Sequence, residues 1–157
     1  MIGESMKLLV INGPNLNFLG IRNTSVYGKE DYNFLVDKIK THCKEAQVEV
    51  VCYQSNYEGG IIDRLQQAYH EGVEGIIINP GAYTHYSYAI RDAISSVSID
   101  TVEVHISDIH SRESFRQVSV TKDVCVHQIT GKGLDGYLEG IDYLISQKKQ
   151  ANSGLIS

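Results

Sequence analysis

Two pairs of residues carry most of the chemistry this sequence offers: Glu103 with His105, and Arg22 with Tyr27. In a β-strand, side chains two positions apart point to the same face, so Glu103 lies beside His105. A carboxylate next to an imidazole fixes the ring's tautomer and favours its charged form, which suits a general acid; a purely structural ion pair is the alternative. Tyr27 offers a base. A free phenol has a pKa of about 10, so at neutral pH only about one in a thousand is ionised. A neighbouring cation such as Arg22 lowers that value, and exclusion of water strengthens the effect. A phenolate could then take a proton from carbon, although a tyrosine stacked in a loop is an ordinary thing in a chain with ten tyrosines. Asn15, Asn79, Ser107, His85, Arg112 and Arg116 complete the set. Guanidinium groups pair with carboxylates, and amides and hydroxyls read hydroxyls, so together these residues suit a small, oxygen-rich anion.

Regular elements must bring these residues together. Leu8 to Ile11 is an apolar run that reads as a strand buried on both faces. It breaks at Asn12-Gly13-Pro14-Asn15 into a loop that reaches Tyr27-Gly28, long enough to be a lid hinged at Gly20 and Gly28. The spacing of apolar residues then predicts a helix from Glu30 to Ala46, a strand from Val48 to Tyr53, and a helix stopping near Gly72. A strand over Gly75 to Ile78 follows, then a helix capped by Thr84, with Ala89, Ile90, Ala93, Ile94 and Val97 as its apolar stripe. Strands over Thr101 to Ile106 and Val124 to Ile129, and a helix through Leu134 to Ile145, close the chain. This alternation calls for an α/β, flavodoxin-like, doubly wound five-stranded parallel sheet with helices on both faces. Ligands in such sheets bind beyond the carboxyl ends of the strands. The segments after strands one, three and four, which carry the set above, should therefore meet at one rim under the lid.

The 157 residues suffice for one domain, here a single catalytic domain over 1–157 with 1–6 and 149–157 expected as disordered extensions. A net charge of −5 argues against nucleic acid or an anionic membrane as the main partner. No run approaches the length of a membrane span, and the opening residues do not read as a signal peptide. Cys43, Cys52 and Cys125 are scattered, as expected of reduced core cysteines in a cytoplasmic protein. Glu103, His105 and His110 match no recognised zinc spacing, and no metal is expected. Gly131 to Gly136 fits GxGxxG, but no strand follows it, so a tight strand-to-helix turn is the better reading. A flavodoxin-like nucleotide module would need a phosphate-cradling loop after strand one, and Pro14 removes an amide donor there.

Asn12-Gly-Pro-Asn-Leu-Asn-Phe-Leu-Gly20 with Arg22 and Tyr27-Gly28 resembles the opening signature of type II 3-dehydroquinate dehydratases. Asn79-Pro-Gly-Ala-Tyr-Thr-His85 with Ile90-Arg91-Asp92-Ala93 resembles a second motif, and Glu103-Val-His105-Ile-Ser107 followed by Ser111-Arg112-Glu113 and Phe115-Arg116 a third. The likeness runs from about Lys7 to Lys148, in order and in spacing. It implies removal of water from 3-dehydroquinate in the shikimate pathway, without metal or organic cofactor. On this resemblance Tyr27 is the base, Arg22 lowers its pKa, and Asn15 holds the enolate, while His105, set by Glu103, protonates the leaving hydroxyl. Asn79, His85, Ile106, Ser107 and Arg116 hold the substrate. Asp92 reaches the site of a neighbouring subunit, so the resemblance also implies a homo-oligomer, trimers assembling to a dodecamer. One departure falls in the lid, where Asn23-Thr24 replace the usual Glu-Pro. Loss of the proline predicts a more flexible lid, disordered without ligand.

Overall fold

The structure, a computed structural model, describes residues 5–21 and 30–156, apart from the side chains of 155 and 156. Arg22 and Tyr27, with the rest of the expected lid, lie outside the described residues.

Strand β1 spans Lys7–Asn12, β2 Glu49–Gln54, β3 Gly75–Asn79, β4 Thr101–His105 and β5 His127–Thr130. They form one five-stranded sheet in the order β2-β1-β3-β4-β5, and every adjacent pair is parallel. Among the described residues four helices connect and close it: α1 over Tyr32–Glu45, α2 over Glu58–Glu71, α3 over Tyr88–Val97 and α4 over Asp135–Ile156. Among the described residues no helix is long and apolar enough to cross a membrane.

The sheet is covered on both faces because its strands are apolar on both. Leu8, Val10, Ile77, Val102, Val104 and Ile129 pack with Leu35 and Ile39 of α1 and Tyr137, Ile141 and Leu144 of α4. The alternate residues Leu9, Ile11, Ile76 and Ile78 pack with Ile61 and Leu65 of α2 and Ile90 and Ile94 of α3. Each fully buried side chain of this kind contributes roughly 1.5–3 kcal/mol. Strand β4 departs from the pattern. Its α2/α3 face carries Thr101, Glu103 and His105, all buried, and the loop between β4 and β5 closes over them.

Four local expectations are corrected. Thr84 does not cap α3, because residues 81–85 form a short 3-10 turn and the helix starts later. Ser87 is the cap, accepting a hydrogen bond from the Ile90 amide at 3.0 Å. Strand β5 begins three residues after Val124, since Lys122–Val124 are held in another 3-10 turn. Met6, assigned by position to the terminal extension, is buried in the core against α1 and α4, and α4 continues through the polar stretch expected to fray.

Candidate active site

The crossover in strand order lies between β1 and β3, and there the backbones come very close. The Gly13 amide donates to the Asn79 carbonyl at 2.8 Å. A Cβ on Gly13 would lie 2.5 Å from the Pro80 carbonyl oxygen, so only glycine fits. After β3 the chain turns at Gly81 (φ 61°), whose amide donates to Asn79 Oδ1 at 3.1 Å. These turns, with the end of β4, border a cleft of about 120 Å3 lined by Asn15, Asn79, His85, His105, Ile106, Ser107, Arg112 and Arg116, among others. Seven of the residues expected at the rim thus meet, from the three expected strand ends, and Ile106 lies among them. A shallower depression of about 700 Å3 adjoins it and shares Ile106, Ser107 and Arg112, with Glu30, Phe34 and Lys132 on its far side. Glu30 is the first described residue after the expected lid.

His105 is 5% exposed and Glu103 is fully buried. His105 Nε2 lies 3.0 Å from Glu103 Oε2, which leaves Nδ1 for whatever enters the cleft. Glu103 has four more donors. Oε2 also accepts from Ser119 Oγ at 2.8 Å and Gln128 Nε2 at 2.6 Å. Oε1 accepts from Thr84 Oγ1 at 3.1 Å and from the Thr121 hydroxyl. Burial by itself would push this carboxyl up. The hydrogen bonds and attraction from His105, with those from Thr121 and Gln128, outweigh it and hold the group down at about 2. Glu103 is therefore a fixed anion.

His85 is anchored through Nδ1, 2.7 Å from the Val118 carbonyl. A carbonyl only accepts, so the proton sits on Nδ1 and Nε2 is left as an acceptor. Burial pulls the His85 pKa below its ordinary value, with the nearby His105 and Arg116 adding to the effect against the Val118 bond. The ring is a neutral reader of hydroxyls. Asn79 is held at both ends of its amide, its Nδ2 donating to the Tyr137 hydroxyl at 2.9 Å. That hydroxyl in turn donates to Asn12 Oδ1 at 2.6 Å, which ties α4 to the ends of β1 and β3. One Nδ2 hydrogen of Asn79 remains for a ligand. Arg116 lies 2.6 Å from Glu113 and 4.8 Å from the Phe115 ring, which aligns its guanidinium at the cleft edge. Asn15 stands at the root of the loop with φ 70°, its amide held by Asn56 Oδ1 at 3.0 Å.

Asp92 is not brought to the cleft: it is exposed on α3. Lys132 borders only the larger depression. The GxGxxG segment is a turn, with Gly131 and Gly133 at φ 74° and 61° and their amides donating to carbonyls of His105, Ser107 and Ile106. The sequence motifs do not point to Ser119, Thr121, Gln128 or Tyr137, nor to Thr84 as a partner of Glu103. Gln128 had a legible signal, since it pairs in register with Glu103 across β4 and β5. Ser119 and Thr121 had none, because the loop that delivers them has no periodicity.

The chain matches the family model for Dehydroquinase class II over residues 6–145. A 3-dehydroquinate dehydratase of Lachnoclostridium phytofermentans is 60% identical over 141 residues, covering 90% of this chain and 97% of that protein. The crystal structure of a type II dehydroquinase from Butyrivibrio crossotus superposes with a TM-score of 0.90 at 62% identity, over 90% of this chain and 99% of that one. A type II dehydroquinase from Propionibacterium acnes, 34% identical, superposes with a TM-score of 0.86 over 91% and 99%.

Proposed function

This chain belongs to the class II dehydroquinases, and on that premise we propose that its cleft dehydrates 3-dehydroquinate to 3-dehydroshikimate by an enolate-forming elimination with Tyr27 as base and His105 as acid. The chain is a hydro-lyase. The observation that carries the mechanism is the buried Glu103–His105 pair at 3.0 Å, opening onto a cleft lined by neutral hydroxyl readers and arginines.

The steps balance in protons. Tyr27 phenolate, lowered in pKa by Arg22, removes a proton from the carbon next to the ketone. The charge moves onto the ketone oxygen as an enolate, which Asn15 stabilises through a water. The enolate electrons expel the hydroxyl one carbon further on, and the imidazolium of His105 gives it a proton from Nδ1, so that it leaves as water. His105 ends neutral with its remaining proton on Nε2, the nitrogen bonded to Glu103. Asn79, His85, Ser107 and the Ile106 amide hold the ring hydroxyls, and Arg116 holds the carboxylate.

The active form is a homo-oligomer in this reading, trimers assembling to a dodecamer, in which Asp92 of a second copy reaches the cleft edge. Its exposure on α3 supports this, as do the exposed Tyr57, Tyr86 and Tyr88 at the nearby ends of α2 and α3. Light scattering in solution reads the mass; a monomer with full activity contradicts it.

The function is tested by following the conjugated enone product in the ultraviolet, with chelator-treated protein and with Tyr27→Phe. Wild type is expected to turn over, and the variant to lose about 100- to 10,000-fold in kcat. An active Tyr27→Phe enzyme would remove the base from the mechanism.

A further inference from the structure

The donors around Glu103 are supplied by a single strap. Between Val118 and Thr121 the chain is clamped at three points: the Val118 carbonyl to His85 at 2.7 Å, the Val120 amide to the Thr84 carbonyl at 2.8 Å, and the Val120 carbonyl to Arg91 Nη1 at 2.8 Å. The same four residues deliver Ser119 and Thr121 to the carboxylate, while β5 delivers Gln128 at 2.6 Å. One segment thus orients both histidines of the cleft.

Five donors are more than a carboxylate needs for solubility in a protein interior. A hydroxyl can turn round and accept, so a proton on Glu103 could be tolerated next to Ser119 alone. The amide of Gln128 is a donor at Oε2, and Thr84 and Thr121 fill Oε1. A proton arriving from His105 lands on Oε2, where the Gln128 amide already donates and has no lone pair to offer, which costs free energy, while the Thr121 hydroxyl at Oε1 stabilises the negative charge.

We propose that Gln128 and Thr121 are positioning residues which, by saturating both oxygens of Glu103, keep it a fixed anion that never takes the proton and so lock His105 in the tautomer with Nε2 protonated and Nδ1 directed to the substrate. The catalytic consequence rests on the reading of His105 as the acid; the tautomer lock does not. With the lock loosened, the shared proton shifts to Glu103 and His105 faces the substrate as a neutral imidazole protonated at Nδ1, a weaker acid than the imidazolium, so loss of the hydroxyl slows.

The test uses the full-length oligomeric enzyme in three variants. Thr121→Val and Gln128→Met remove one donor each at nearly constant volume, and Thr121→Ser keeps the hydroxyl. The His105 ring nitrogens are followed by long-range proton–nitrogen correlation through a pH titration, beside kcat and KM. Wild type and Thr121→Ser are expected to show one neutral tautomer, protonated at Nε2. Thr121→Val and Gln128→Met are expected to show a mixture, with kcat lower by about tenfold and KM within about threefold. Wild-type ring shifts in both folded variants would overturn the proposal, whatever the activity. A mixed tautomer with unchanged kcat would uphold the lock and overturn instead the role of His105 as acid.

Discussion

Glu103 shows how a buried charge can be made permanent by its neighbours. Its carboxyl is fully buried, and desolvation alone would favour the neutral acid. His105, Thr121 and Gln128 reverse that preference and hold it at about 2, against an ordinary 4.5. The linkage sign follows. A depressed folded-state pKa gives stability that is complete above about 4.5 and is lost as the pH falls through about 2. Glu103→Gln places an amide donor among donors, so it should be less stable than wild type by about 3 kcal/mol at neutral pH. That difference should narrow as the pH drops below the ordinary carboxylate range. Urea midpoints across acid pH check it, and a gap constant with pH would show that Glu103 is not ionised in the folded protein. At this scale the sequence was informative where chemistry needs adjacent residues: Glu103 and His105 follow from strand alternation. It was silent on Ser119 and Thr121, because their approach depends on how a loop without periodicity crosses a sheet edge.

Elements place these residues through close contacts at the crossover between β1 and β3. Gly13 is the tightest point, where a methyl group would meet the Pro80 backbone at 2.5 Å. Gly13→Ala should therefore push apart the turns carrying Asn15 and Asn79. A cost of roughly 1–3 kcal/mol is expected from overpacking, with KM rising more than kcat falls, because the displaced residues hold substrate. Thermal unfolding and steady-state kinetics read the two effects; wild-type stability would mean that the turns relax freely. The strands β1 and β3 were legible as uninterrupted apolar runs because both of their faces are buried. The start of strand β5 and the cap of α3 were not. A hydroxyl at Thr84 looks like a helix cap in sequence, but the 3-10 turn over residues 81–85 delays the helix and leaves Ser87 to cap it. Thr84 is thereby released to bind Glu103.

At the scale of the whole molecule, the doubly wound topology explains why so much of the candidate site could be anticipated. A parallel sheet in the order β2-β1-β3-β4-β5 leads the loops after β1, β3 and β4 to one rim, and polar residues concentrated in those loops must converge there. The net charge of −5 does not oppose an anionic substrate, since Arg112 and Arg116 set the local field at the cleft. The topology of one chain holds Asp92, exposed, on the outside of α3. In the proposed mechanism, proton abstraction and loss of hydroxyl are separate steps served by separate groups. The most direct measurement compares hydrogen exchange at the carbon next to the substrate ketone, in deuterated water, with formation of enone, for wild type, Tyr27→Phe and His105→Asn. Tyr27→Phe is expected to lose both reactions, while His105→Asn still exchanges above the uncatalysed rate but forms enone about 100-fold more slowly or worse. Exchange that survives in Tyr27→Phe, or that disappears with elimination in His105→Asn, would contradict the mechanism.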